Sequence, residues 1–118
     1  MYKTTIRYSD LDRNQHTNYT IYIKSCIDCA TVASKSNKLI HFKGDMACYP
    51  VLELSVDFIG ETFVGEEIIV SMWQDADDLR NFKFLVCESG EEKKVSFVEC
   101  RFGLEKVVNR IKTMKPKL

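Results

Sequence analysis

The chain has 118 residues, and dividing it would leave two halves each too small to bury an adequate core, so it reads as one domain over 1–118. Its residues are 45% hydrophobic and 29% charged, a globular composition that excludes both a disordered chain and a membrane-embedded one. The 17 basic and 17 acidic side chains cancel to a formal net charge of +0, so nothing draws the whole molecule to nucleic acid or anionic lipid, and the low charge favours self-association.

The charge is unevenly spread. Residues 106–118 hold Lys106, Arg110, Lys112, Lys115 and Lys117 without an acidic side chain, a basic tail expected to fray. The first residues, Met1 to Ile6, carry no apolar stretch of signal-peptide length, and no run approaches a membrane span. The expected address is the cytoplasm, or an organelle if a transit segment has been removed. The 5 cysteines (Cys26, Cys29, Cys48, Cys87, Cys100) are odd in number and lack a secretory signal, so they are expected as reduced thiols.

Along the chain, residues 2–8 carry β-branched and aromatic side chains in rough alternation and predict a strand. Ser9 to Asn18 is polar and rich in Asp and Asn, a loop. From Tyr19 or Thr20 to about Lys35, Tyr22, Ile23, Cys26, Ile27, Ala30 and Ala33 recur at helical spacing, with Lys24, Asp28, Thr31 and Lys35 on other faces. Residues 36–49 are irregular. Leu52, Leu54, Val56 and Phe58 then alternate with Glu53, Ser55 and Asp57 in a clean period of two, the best strand signal in the chain. Gly60 and Gly65 bracket a turn. Glu67–Trp73, Asn81–Cys87 and Lys93–Leu104 are three further strands, separated by the hairpin-like segments 75–78 and 88–92. A strand, a long helix and four strands in an antiparallel meander make an α+β layout in which the sheet must cover the helix's apolar face.

The densest polar constellation, Ser9 to Asn18, lies between the first strand and the helix. The start of a helix leaves N–H groups without partners and carries about half a positive charge, so it can hold a carbonyl oxygen as that oxygen turns anionic. Asp12 or His16 beside it can supply a base. The same residue types also suit an Asx-turn and an ordinary N-cap at Thr17 or Asn18.

Asp10-Leu11-Asp12-Arg13-Asn14-Gln15-His16 fits the Asp-Leu-Asp-x-Asn-Gln-His signature of the hotdog-fold thioesterases. Asn18, Tyr22-Ile23, Asp28 and Ala30 follow at the same family's spacing, and Leu52–Phe58 with Phe63-Val64-Gly65-Glu66-Glu67 matches more loosely. The resemblance spans roughly residues 4–104, is strongest to the acyl-ACP thioesterases, and extends to 4-hydroxybenzoyl-CoA thioesterase-like proteins. It implies a single hotdog domain, an antiparallel sheet of about five strands wrapped round one long helix, hydrolysing fatty acyl-ACP or acyl-CoA to the free acid. By resemblance Asp12, Asn14 and His16 form the catalytic set. Asp12 would be base or nucleophile, Asn14 would orient substrate or water, and His16 would be a second base or hold Asp12. The N–H groups near Asn18, Tyr19 and Thr20 would face the carbonyl oxygen. No cofactor and no metal is implied. The chain departs from the family where the usual Val-Asn-Asn is Thr17-Asn18-Tyr19, which puts a bulky aromatic at the helix start.

The family's plant members carry two hotdog units in one chain, so one unit of this length implies a homodimer or higher homo-oligomer. Hydratases share the fold but need an acid–base arrangement absent from this sequence. The alternative reading is a non-catalytic acyl-binding or structural subunit, which has no reason to keep Asp12-x-Asn14-x-His16 intact. Cys26 and Cys29 with His41 and Cys48 could be imagined as a zinc set, but a CxxC on the buried side of a helix reads as core thiols. Asn18-Tyr19-Thr20 is a formal glycosylation sequon, without meaning unless the chain is secreted. His41 reads as structural, and Trp73, Phe82, Phe84 and Phe97 as core or pocket lining. The basic tail is a solvated terminus or, alternatively, a contact for the phosphates of coenzyme A or for an acidic carrier protein.

Overall fold

The computed structural model describes residues 2–11, 17, 19–90 and 92–105. The elements run β1 (Tyr2–Thr5), α1 (Thr20–Lys35), β2 (Val51–Phe58), β3 (Glu67–Gln74), β4 (Asn81–Glu88) and β5 (Lys93–Phe102), with 3-10 turns at Tyr8–Asp10 and Met46–Cys48. The basic tail expected at 106–118 lies outside the described residues.

α1 keeps the boundaries that its periodicity predicts, but its buried stripe is rotated. Tyr22, Ser25, Cys26, Cys29, Ala30 and Ser34 are buried, so four small hydroxyl or thiol side chains share the inner face with Tyr22 and Ala30. These small side chains let the helix lie close on the sheet, where Cys29 Sγ approaches the Val70 carbonyl at 3.7 Å. The helix ends at Lys35, and just beyond its C-cap Ser36 Asn37 adopts a left-handed φ of 58° and donates its N–H to the Ser34 carbonyl at 3.0 Å, a termination Asn accepts more readily than most residues. Tyr2 Oη donates to Asp28 Oδ2 at 3.3 Å and ties β1 to the helix.

β1 is shorter than residues 2–8. Asp10 accepts the Arg7 N–H at 2.9 Å, and the Asp10 and Leu11 N–H groups bond back to Arg7 O and Tyr8 O. These local bonds coil the chain into the 3-10 turn before the strand can continue, as Asp does when it competes for nearby backbone donors.

The five strands stand in the order β1-β3-β4-β5-β2, and every neighbouring pair is antiparallel. The expected four-strand meander therefore holds for β3, β4 and β5 but not for β2, which crosses the sheet to pair with β5. The edge of β3 that a meander would give to β2 is taken by β1, with Tyr2 opposite Val70 and Thr5 opposite Glu67. That pairing is extended by Ile6 N–H to Glu66 O and Gly65 N–H to Ile6 O, each 2.8 Å. Gly65 has a φ of +88°, a conformation that favours glycine. At the far side the N–H groups of Ile59 and Gly60 both reach Val95 O, at 2.8 and 3.0 Å, and close β2 onto β5.

The core lies between α1 and the central strands. Phe42, Phe82, Phe84, Phe102, Ile6, Met46, Ile68, Val70, Val86, Val95 and Val98 are almost wholly buried. Phe42 comes from the irregular stretch between α1 and β2. Its ring meets Tyr49, Phe82 and Phe102 edge-on at centroid distances of 5.0, 5.2 and 6.1 Å, the arrangement aromatic quadrupoles favour.

β2 is a different case. α1 packs on β1 and β3 rather than on β2, so among the described residues little covers the alternating apolar side chains there. Leu52, Leu54 and Phe58 stay 52%, 47% and 54% exposed, and Val56 is half-buried.

Candidate functional site

Of the expected site, the structure describes Leu11, Thr17 and the start of α1. Asp12, Asn14, His16 and Asn18 lie outside the described residues. Leu11 and Thr17 are paired in an antiparallel bridge. Leu11 is packed against the core.

The N-cap is Tyr19, not Thr17 or Asn18, and it supplies no side-chain cap; its backbone is already helical, with φ −57° and ψ −23°. Tyr is a poor capping residue, and its own side chain leaves the positive end of the helix uncapped. The first turn of α1 also contains no acidic residue. Thr20 opens the helix and is half-buried, and the Tyr22 N–H bonds to Tyr19 O at 3.1 Å. A helix start carries a positive field that suits an anion or a developing oxyanion. The Tyr19 ring is 57% exposed and lies edge-on to Phe58, with centroids 5.5 Å apart and an interplanar angle of 74°.

Thr17, which sequence reasoning considered as a cap, is committed elsewhere. Its Oγ1 donates to the Thr62 carbonyl at 2.6 Å and accepts from Thr62 Oγ1 at 3.0 Å. Tyr22 Oη lies 2.7 Å from Thr62 Oγ1. Each hydroxyl has one hydrogen, so the direction is fixed: Tyr22 donates to Thr62, Thr62 to Thr17, and Thr17 to the Thr62 carbonyl. Thr62 and Tyr22 are buried, at 0% and 3% exposure. No sequence pattern pointed to Thr62, which belongs to the connection between β2 and β3.

The other candidates separate from this site. Cys26 and Cys29 are buried, and burial pushes both thiols up from their ordinary value, with neighbouring Cys29 and Cys100 adding to the effect at Cys26. His41 is exposed, at a left-handed φ of 72°, and among the described residues no three His, Cys, Asp or Glu side chains are grouped as metal ligands. A shallow cleft lined by Ala33, Lys38, Leu39, Met72, Trp73 and Gln74 lies at the opposite end of α1. Phe82 and Phe84 are core, as expected, whereas Trp73 is exposed and tilts against Phe97 at 6.2 Å. Among the described residues no helix is long and apolar enough to cross a membrane.

One long helix against a five-stranded antiparallel sheet, with an Asp-, Asn- and His-bearing stretch of sequence just before the helix, is the hotdog fold. The family model described as the acyl-ACP thioesterase C-terminal domain matches residues 1–101, and the chain belongs to that family. Solved structures share the fold. An acyl-ACP thioesterase from Bacteroides thetaiotaomicron is 21% identical with a TM-score of 0.60; the match covers 86% of this chain but 36% of that one. A 1,4-dihydroxy-2-naphthoyl-CoA thioesterase from Synechocystis is 12% identical with a TM-score of 0.67, over 86% of this chain and 77% of that one. A Thermus thermophilus thioesterase complexed with coenzyme A and zinc is 15% identical with a TM-score of 0.65, covering 85% and 74%. No curated protein is significantly similar in sequence.

Proposed function

We propose that this protein hydrolyses acyl thioesters, taking fatty acyl-ACP or acyl-CoA to the free acid and the thiol. The observation that carries the reading is the start of α1, where the N-cap gives no side-chain cap and the first turn no carboxylate. It directly follows the segment that fits the family signature. A thioester is activated already and needs little beyond a base or nucleophile and one stabilised oxyanion. Asp12 acts as base on water or as nucleophile, Asn14 orients the substrate or water, and His16 assists Asp12. The N–H groups at Asn18, Tyr19 and Thr20 receive the carbonyl oxygen as negative charge develops. The family match supports these roles, and the coenzyme A held by the Thermus relative supports a coenzyme A thioester as one form of the substrate.

The working unit in this reading is a homodimer joined at β2. That strand is the end of the sheet, with one edge unpaired among the described residues and large apolar side chains exposed on it. An open apolar edge is the surface on which a second copy would continue the sheet. Phe58 and its Tyr19 partner then lie where β2 and the helix start meet, placed to contact the acyl chain.

The test is turnover of acyl-CoA and acyl-ACP series by the wild type and by Asp12→Ala. Loss in the variant is expected to be on the order of 100-fold or more. Equal rates would remove Asp12 from the mechanism, and no turnover by the wild type at any chain length would favour the acyl-binding subunit. Single turnover in isotopically labelled water separates the roles of Asp12, since label entering its carboxylate demands a covalent acyl intermediate.

A further inference from the structure

A helix that presents its first N–H groups to a substrate faces a conflict. The usual way to stop its first turn from fraying is a side-chain cap, and a cap takes one of those N–H groups. In this protein Tyr19 gives no side-chain cap, and among the described residues the turn is held by a different device. Thr17, before the helix, and Tyr22, the third residue within it, both hydrogen-bond to Thr62. Positions 19 and 20 lie between these two anchor points. Both bonds from the helix side use side-chain hydroxyls and leave the backbone donors of the turn out of the arrangement.

We infer that Thr62 is a positioning residue for the start of α1: its hydroxyl and carbonyl clamp the chain on both sides of Tyr19 and Thr20 and so set where the oxyanion donors point. The inference rests on reading that helix start as the oxyanion site. Thr62 suits the task because it is wholly buried, where an unmade hydrogen bond is costly, so the relay has strong reason to stay closed. It also sits between two fixed points. Gly60 N–H is bonded to Val95 O at 3.0 Å, and Gly65 N–H to Ile6 O at 2.8 Å, so the connection carrying Thr62 is tied to both β5 and the end of β1. The helix start thus takes its position from the sheet, through a residue 45 positions away from Thr17.

The experiment uses the full chain with Thr62→Val, which keeps the shape and removes the hydroxyl, and Thr62→Ser, which keeps the hydroxyl. Two quantities are read: steady-state kinetics on a saturated acyl-CoA series, and amide hydrogen exchange at residues 19–22 against β4 as the internal control. Thr62→Val is expected to lower kcat on the order of 10- to 100-fold with KM within about twofold at every chain length. Thr62→Ser should restore most of the rate. Exchange at residues 19–22 should quicken in the valine variant and not in the serine one, with β4 unchanged. A purely structural role would lower stability without this kcat-only loss. Wild-type kcat in Thr62→Val, a serine variant as slow as the valine one, or unchanged exchange at 19–22 would each overturn the inference. Should Thr62→Val fail to fold, Tyr22→Phe removes only the first hydroxyl of the relay and is held to the same outcomes in kcat and exchange. A wild type without turnover defeats the proposed activity, while the exchange measurement still decides for or against the clamp.

Discussion

Phe58, near the end of β2, and Tyr19, the N-cap of α1, are 39 positions apart and meet edge-on with ring centroids 5.5 Å apart. The pair joins the uncovered face of the edge strand to the place where a thioester carbonyl would be held. Both rings stay more than half exposed, so they offer apolar surface at the helix start itself.

If that surface takes the acyl chain, Phe58→Ala and Tyr19→Ala should each raise KM for the longer acyl-CoA substrates by roughly 5- to 20-fold, the loss of one aromatic contact and its buried area. Short acyl groups, which do not reach the rings, should be affected less. KM across a chain-length series checks this; a uniform change at every length would contradict it.

Self-association through β2 predicts that Leu54→Glu converts the dimer to monomer. The charge would sit on a position that is 47% exposed in the single chain, so folding should survive while a covering partner would have to desolvate it. Sedimentation of wild type and variant decides the matter. A wild type that is monomeric, or a variant as dimeric as the wild type, removes β2 from the interface.

Phe42 contributes a different kind of prediction. It is 1% exposed and wedged among Tyr49, Phe82 and Phe102, so Phe42→Ala should cost about 3–5 kcal/mol. Urea unfolding midpoints measure it. A cost below about 1 kcal/mol would mean that the loop carrying Phe42 is not part of the core.

The buried thiols predict an alkaline limit to stability. Burial holds the Cys100 proton to about 11, above the ordinary 9.0, and it raises Cys26 and Cys29 as well. The unfolded chain ionises these thiols near the ordinary value, so between about pH 9 and 11 it has lost protons that the folded chain keeps, and folding weakens as pH rises. Below pH 9 this contribution is intact. The thermal midpoint should therefore fall through that interval, with a shallower fall in Cys100→Ala. The same burial predicts slow alkylation of Cys26, Cys29 and Cys100, with half-buried Cys48 and Cys87 reacting first.

The local elements were legible because their signals act over a few residues. Tyr22, Cys26 and Ala30 recur on one face of a helix, and the helix runs where that recurrence ends. β3, β4 and β5 appear within a residue or two of their expected bounds, separated by the acidic and glycine-containing turns. The order of strands was not legible. Periodicity says that Leu52, Leu54, Val56 and Phe58 share a face but not what covers it, and the short β1, weak as a pattern, takes the edge of β3 that a meander would have used. The family signature located the candidate site through residues 10–16, yet it said nothing of Thr62, a lone threonine with no periodicity around it.

One long helix, a set of strands, and an Asp-, Asn- and His-bearing stretch before that helix could be read along the chain alone. Those facts follow from spacing and side-chain type, which neighbours along the chain already possess. That β2 stands at the sheet's end with most of its apolar side chains exposed, and that Thr62 hydrogen-bonds both Thr17 and Tyr22, came from tertiary contacts alone. Strand order and hydroxyl relays depend on which distant segments reach a shared edge or a buried space, and closing such long loops is settled by the whole fold rather than by any local preference.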